Sequence, residues 1–244
     1  MDLNTRIHVT GYFLPWHRWY VAVYEQALKE SCRYTDSADV FDSDFFKGSG
    51  PASGIGGWSE PSKDFSVTGG VFSDSMIAYP NSHILRRIFS LQPWKDLNGF
   101  NRYPLEYANA TFMPDAMRAL VDGHVEDFVG FQADFEKTQG AHGTSFLLFG
   151  DLRKDRNELL FWMHHAMVDK VWSDWKNANS ENFWAFFGGT VQGTKNVTYY
   201  DQYPNGAPPF LSLNDTMLAD GMFNETTIYN VMNTTGGFMC YMYE

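Results

Sequence analysis

Apolar residues recur at helical spacing in three stretches of the chain, and each stretch carries a histidine on its apolar side. The first runs from about Pro15 to Ser31, with His17, Val21, Tyr24 and Leu28 sharing a face. Pro15 sits where a first helical turn accepts it. The second opens at Pro114-Asp115 and continues through Met117, Leu120, His124, Phe128 and Phe131 to about Thr138, before Gly140 and Gly143 interrupt it. The third covers Asn157 to Lys176, with Phe161, His165, Val168 and Trp172 along one side. A short helix is expected from His83 to Ser90. Residues 35 to 82, rich in Gly, Ser, Pro and Asp, read as long loops with short strands at most, and the chain after Asn177 reads as loop. No repeat or low-complexity linker divides the sequence. Residues 1–244 are therefore expected to form one mainly α domain, a helix bundle directing histidines inward with long loops around it.

Composition narrows the partners. A chain of 244 residues suffices for one sizeable core, and its 17% aromatic content is spread along the whole length. The net charge is −11 and the longest basic run is Arg86-Arg87, which gives little support to a surface for nucleic acid or an anionic membrane. No apolar segment approaches the ~18 residues a membrane span needs. Met1-Asp2-Leu3-Asn4 lacks the charged start and apolar core of a leader peptide. Asn109, Asn196, Asn214, Asn224 and Asn233 each begin an Asn-x-Ser/Thr sequon, and the four from Asn196 onward lean toward a secreted product. A bridge between Cys32 and Cys240 would close a loop of roughly 200 residues, worth about 5 kcal/mol on the chain-entropy account. Two buried free thiols are the alternative.

The first helical stretch carries more than periodicity. His8-Val9-Thr10-Gly11-Tyr12-Phe13-Leu14-Pro15-Trp16-His17-Arg18 places imidazoles at both ends of an aromatic entry into a helix, with Val21 and Glu25 beyond. Core packing alone does not call for that, and histidine is the commonest metal ligand. The string resembles the first copper signature of the tyrosinase, catechol oxidase and haemocyanin superfamily. Glu158-Leu159-Leu160-Phe161-Trp162-Met163-His164-His165-Ala166-Met167-Val168-Asp169 resembles the second, with Glu158-Leu159 where the signature has Asp-Pro. The spacing to Asp169 selects His165 as the ligand. Asp169, one turn later on the same face, is placed to support a neighbouring group. His164 lies about 100° round the helix and reads as a packing or substrate-pocket residue.

Upstream, the segment from Ala141 to Leu152 is similar to the family's His-x-x-x-His pair, with His142 at the first ligand position and Phe146 at the second. A phenyl ring cannot ligate a metal. His124 competes for the upstream position but also has a phenylalanine, Phe128, four residues on. His83, in Tyr79 to Arg87, lies in a stretch that resembles a recurrent family segment whose histidine is no ligand, so a structural or pocket-edge role is expected. Cys240-Tyr241-Met242-Tyr243 is similar to the tyrosine-x-tyrosine motif of the family, and Asn182-Phe183-Trp184 and Thr234 to Phe238 look like the short fungal members.

The resemblance implies a fold of the tyrosinase type, two copper ions held by histidines, and a phenolic substrate oxidised with dioxygen. Neutral imidazoles suit both copper oxidation states. The ligands carried over are His8, His17, His142 and His165. Gly143 follows His142 where an asparagine tends to accompany monophenol hydroxylation, which points to o-diphenols. Three departures are visible: no third histidine precedes His8, Phe146 replaces a ligand, and the family's Pro-Tyr-Trp-Asp-Trp segment is absent between Thr35 and Ser37. The alternative is a non-catalytic, degenerate secreted glycoprotein with impaired metal binding. A dioxygen carrier fits less well, because it needs all six imidazoles more strictly.

Overall fold

Two long helices cross the centre of this computed structural model, which describes residues 3–31, 54, 61–70, 72–78, 81–87, 111, 113–137, 140–143 and 159–243. In chain order the helices are α1 (Asn4–Ile7), α2 (Phe13–Ser31), α3 (Pro114–Asp122), α4 (Phe128–Glu136), α5 (Leu159–Ala178), α6 (Val197–Gln202) and α7 (Ile228–Met232). Among the described residues, strands pair antiparallel in three two-stranded sheets: β1 (Met76–Ile77) with β2 (His83–Ile84), β3 (Gly189–Val191) with β4 (Ala207–Phe210), and β5 (Thr216–Met217) with β6 (Thr226–Thr227). The fold is mainly α, as the periodicities require.

Helix α2 begins at Phe13, two residues before the expected start. Pro15 falls in its first turn, where no intrahelical N–H bond is owed. The opening of this helix is buried on every side: Phe13, Leu14, Trp16, His17, Arg18 and Trp19 are all 5% exposed or less. It packs against α5, whose Val168, Val171, Trp172 and Trp175 are equally buried. Phe131 of α4 stacks on Trp175 at 4.7 Å between ring centroids. Burying such rings supplies the main driving force for collapse, about 25 cal/mol per Å² of apolar surface.

Inside this aromatic core lies an ion pair. Asp169 of α5 accepts from the Arg18 Nε of α2, and both side chains are nearly inaccessible. Arg18 also donates to the Val231 carbonyl of α7 at 3.1 Å and stacks 3.8 Å from the Trp172 ring. The Tyr241 and Tyr243 hydroxyls donate to the other oxygen of Asp169, the latter at 2.7 Å. One carboxylate thus ties α2, α5 and the C-terminal tyrosine pair together.

Three expectations are corrected. The helix expected from 114 to 138 is broken after Asp122. Gly123 closes α3 by donating to Ala119, and Asp127 caps α4 by accepting from Gly130 N at 2.8 Å. The Trp175 indole takes the His124 carbonyl at 2.6 Å and Asn182 takes the Glu126 amide at 2.6 Å, so the break is held from outside. His83 and Ile84 form a strand, not the start of a helix; residues 88–90 lie outside the described residues. After Asn177 the chain is not merely loop: it contributes β3 to β6, α6 and α7, of which α7 reaches the core through Ile228, Val231 and Met232.

Replacing Asp169 strands the Arg18 charge in the core. Asp169→Ala is expected to lower stability by about 3–5 kcal/mol, the cost of removing one partner of a buried pair. Urea unfolding reads this directly. A loss below about 1 kcal/mol, typical of an exposed pair, contradicts it.

Candidate metal centre

Histidines from four separate segments meet where α2 and α5 cross. His17 comes from the second turn of α2, His165 from α5, His142 from the helical residues 141–143, and His8 from the segment between α1 and α2. His17, His142 and His165 are 1%, 3% and 1% exposed. The His17 and His165 rings stack at 4.6 Å, His8 lies 4.9 Å from His17 and 5.8 Å from His142, and His142 lies 5.6 Å from His165. Phe13 presents its ring to His17 and His142 at 5.0 and 4.6 Å, and Phe161 covers His165 at 4.1 Å. Aromatic rings thus line the imidazole group.

Three of these rings are anchored the same way. His17 Nδ1 lies 2.7 Å from the Phe13 carbonyl, His165 Nδ1 2.8 Å from that of Phe161, and His8 Nδ1 3.2 Å from that of Asn4. A carbonyl only accepts, so each Nδ1 carries the proton and each Nε2 keeps its lone pair. The Nε2 of His165 is buried with no hydrogen-bond partner among the described residues. Burial above all, then neighbouring imidazoles, holds His17, His142 and His165 well below the usual histidine pKa. Burial likewise pushes His164 down to about 4. Neutral imidazoles with aimed lone pairs in a dry, close-set group are a donor set that fits copper.

The backbone that carries His8 is fixed residue by residue. Gln192 Nε2 donates to the His8 carbonyl at 2.8 Å, Val9 N to Glu136 Oε1 at 2.6 Å, Gln132 Nε2 to the Thr10 carbonyl at 2.8 Å, and Gly11 N to the Gly189 carbonyl at 3.0 Å. Gly11 is required there: a Cβ would stand 2.9 Å from Gly188 Cα. Val9 adopts φ 52°, a left-handed conformation that a β-branched residue holds only under such constraint. Burial pushes the Glu136 carboxyl up to about 8 against the pull of the Val9 amide.

Other residues singled out in the sequence fall as follows. His164 joins the cluster, 4.9 Å from His165 and 5.2 Å from His142. Gly143 is half-buried beside His142. Phe146, Cys32 and Asn109 lie outside the described residues, and Cys240 is exposed. Asp169 supports Arg18 and the tyrosines. His124 is on the α3–α4 turn, its ring nitrogens 3.4 Å from Asp127 and 3.2 Å from Asp134. His83 is on β2, bonded to the Asn81 carbonyl at 2.6 Å. Gln132, Glu136 and Gln192 gave no signal in the sequence, because polar residues in a helix or beside a turn read as surface.

A family model described as the common central domain of tyrosinase matches residues 1–178. The chain belongs to the tyrosinase family. Tyrosinase-like protein phomQ1 of Diaporthe leptostromiformis is 28% identical over 97% of this chain and 64% of its own length. N-acetyl-6-hydroxytryptophan oxidase ivoB of Emericella nidulans is 25% identical over the whole chain and 78% of its own. The chain thus spans less than two thirds of the first of these relatives. The fold matches a polyphenol oxidase variant from Thermothelomyces thermophila with a TM-score of 0.64 at 21% identity, over all of this chain and 75% of that one. Tyrosinase-type architecture therefore frames the histidine group, and copper is the metal the family implies.

Two pH effects follow for the metal-free tyrosinase-family chain. Its buried histidines stay neutral while unfolded ones take protons below pH ~6.5. Stability is therefore present above that pH and falls as the pH drops, by up to about 1.4 kcal/mol per unit for each histidine. Urea midpoints measured from pH 7.5 down to 5 should fall steeply, and a flat profile contradicts the neutral burial. Glu136 acts oppositely: between about 4.5 and 8 the folded state keeps a proton the unfolded chain has lost, so stability falls as pH rises. Glu136→Gln should gain stability relative to the parent at pH 8 but not at pH 4.5; an equal difference at both contradicts it.

Proposed function

We propose that this chain binds copper through His8, His17, His142 and His165 and oxidises o-diphenols to o-quinones with dioxygen. Two diphenols surrender four electrons and four protons to one dioxygen, giving two quinones and two waters. The observation that carries the reading is the convergence of these imidazoles in an aromatic-walled interior, with Nδ1 of His8, His17 and His165 protonated against a carbonyl and the Nε2 lone pair left for a metal.

A bound copper pair supplies a two-electron centre at which dioxygen is reduced by the diphenol. The chain's own residues set the stage for it. The carbonyls of Asn4, Phe13 and Phe161 hold the rings in orientation, so little reorganisation is needed when metal arrives. Burial keeps His17, His142 and His165 uncharged, so no protons must be expelled from them first. Phe13, Trp16 and Phe161 make the surroundings apolar, which suits a flat phenolic ring and keeps water from intercepting it. Gly143 offers no side chain beside His142, in keeping with diphenols over monophenols.

A second reading, a non-catalytic relative with impaired metal binding, is favoured by one residue: Phe146, at a position where the resemblance expects a ligand. Secretion and glycosylation are supported by the sequon residues Asn196, Asn214 and Asn224, all exposed. No described helix is long and apolar enough to cross a membrane.

Copper-loaded chain should consume dioxygen with catechol only slowly, because it holds one copper of the pair tightly and the other loosely. Phe146→His should raise turnover by roughly 10–100-fold, at least the scale on which outer-shell support matters. Oxygen-electrode assays and metal analysis read both. No copper-dependent uptake by either protein would establish the non-catalytic reading instead.

A further inference from the structure

Phe146 leaves the second copper site of this chain with two of its expected imidazoles, His142 and His165. Helical geometry separates the side chains of consecutive residues by about 100°, which in the sequence sends His164 away from its neighbour. In the structure the separation is bridged. His142 approaches from outside α5, and one ligand nitrogen from each of His142, His164 and His165 lies within 4.8 Å of the others. Their ring centroids form a closed triangle of 5.2, 4.9 and 5.6 Å. Nε2 of His164 and both ring nitrogens of His142 are sealed from solvent.

We infer that His164 is a metal ligand in this chain, completing a three-imidazole copper site with His142 and His165 in place of the residue lost at Phe146. This rests on the copper reading above and deepens it. A three-nitrogen site with an open position is a competent copper site, whereas His8 and His17 supply two donors. The tightest copper therefore belongs to the His142–His164–His165 triangle. The role is specific to this sequence: with a histidine at 146, His164 is released to line the pocket.

The test uses the full chain loaded with Cu(II). Affinity is measured by competition with a chromophoric chelator, and the number of coordinated imidazoles by electron spin-echo modulation. In the unmutated chain three imidazoles should couple to the tightest copper. His164→Ala should leave two and weaken binding by at least about 10–100-fold, the loss that even an outer-shell partner brings. His83→Ala should leave this copper unchanged, and Phe146→His combined with His164→Ala should restore three couplings. Two couplings in the unmutated chain, or unaltered affinity in His164→Ala, overturns the assignment of His164 while leaving a copper protein. Copper retention no better than that of a His142→Ala/His165→Ala double variant overturns the copper reading and this inference together.

Discussion

One local bond recurs at the centre of this molecule: a histidine Nδ1–H given to the carbonyl four residues earlier. His17 and His165 make it within long helices, and His8 makes it back to the start of α1. The bond does three things at once. It satisfies a buried donor, freezes the ring against rotation, and leaves Nε2 as the only outlet for the lone pair. Because the bond is helical in origin, the orientation of the imidazoles is inherited from the backbone. Whatever sets the crossing of α2 and α5 therefore sets the geometry of the histidine group.

That crossing is fixed by an arrangement of opposite character a turn away. Where the histidines are neutral and mutually similar, Arg18 and Asp169 are charged and complementary. His17 and Arg18 are consecutive on α2, and His165 and Asp169 are one turn apart on α5. The same two helices thus hold the imidazoles and the ion pair. Burial and the Asp169 charge push both Tyr241 and Tyr243 phenols up, so they remain donors to the carboxylate. The C-terminal segment is in this way part of the support for the histidine group.

Sequence reading reached the parts of the fold that depend on local identity. The spacing from His8 to His17 and from His165 to Asp169 could be read directly, because one helix face or one turn decides it. What it missed depends on contacts made from elsewhere in the chain. The apolar rhythm from Met117 through Phe131 continues across the Gly123 break, since Leu120 and Phe128 keep helical spacing within their own halves. The break is imposed by Trp175 and Asn182, some fifty residues on. A two-residue strand at His83 is too short to show alternation. The clamp on residues 8–11 uses Gln132, Glu136 and Gln192, none of which differs in sequence from a solvated side chain. Helical angle alone turns His164 away from His165, and it takes no account of His142 arriving from a different segment.

Imidazoles from distant segments converge on one place, and a shared copper there is the central claim. The most direct measurement is anomalous diffraction at the copper edge from crystals of the copper-loaded chain. It should place copper within bonding distance of the ring nitrogens of His142 and His165. Copper found only at His83, or beside His124 with Asp127 and Asp134, would contradict it.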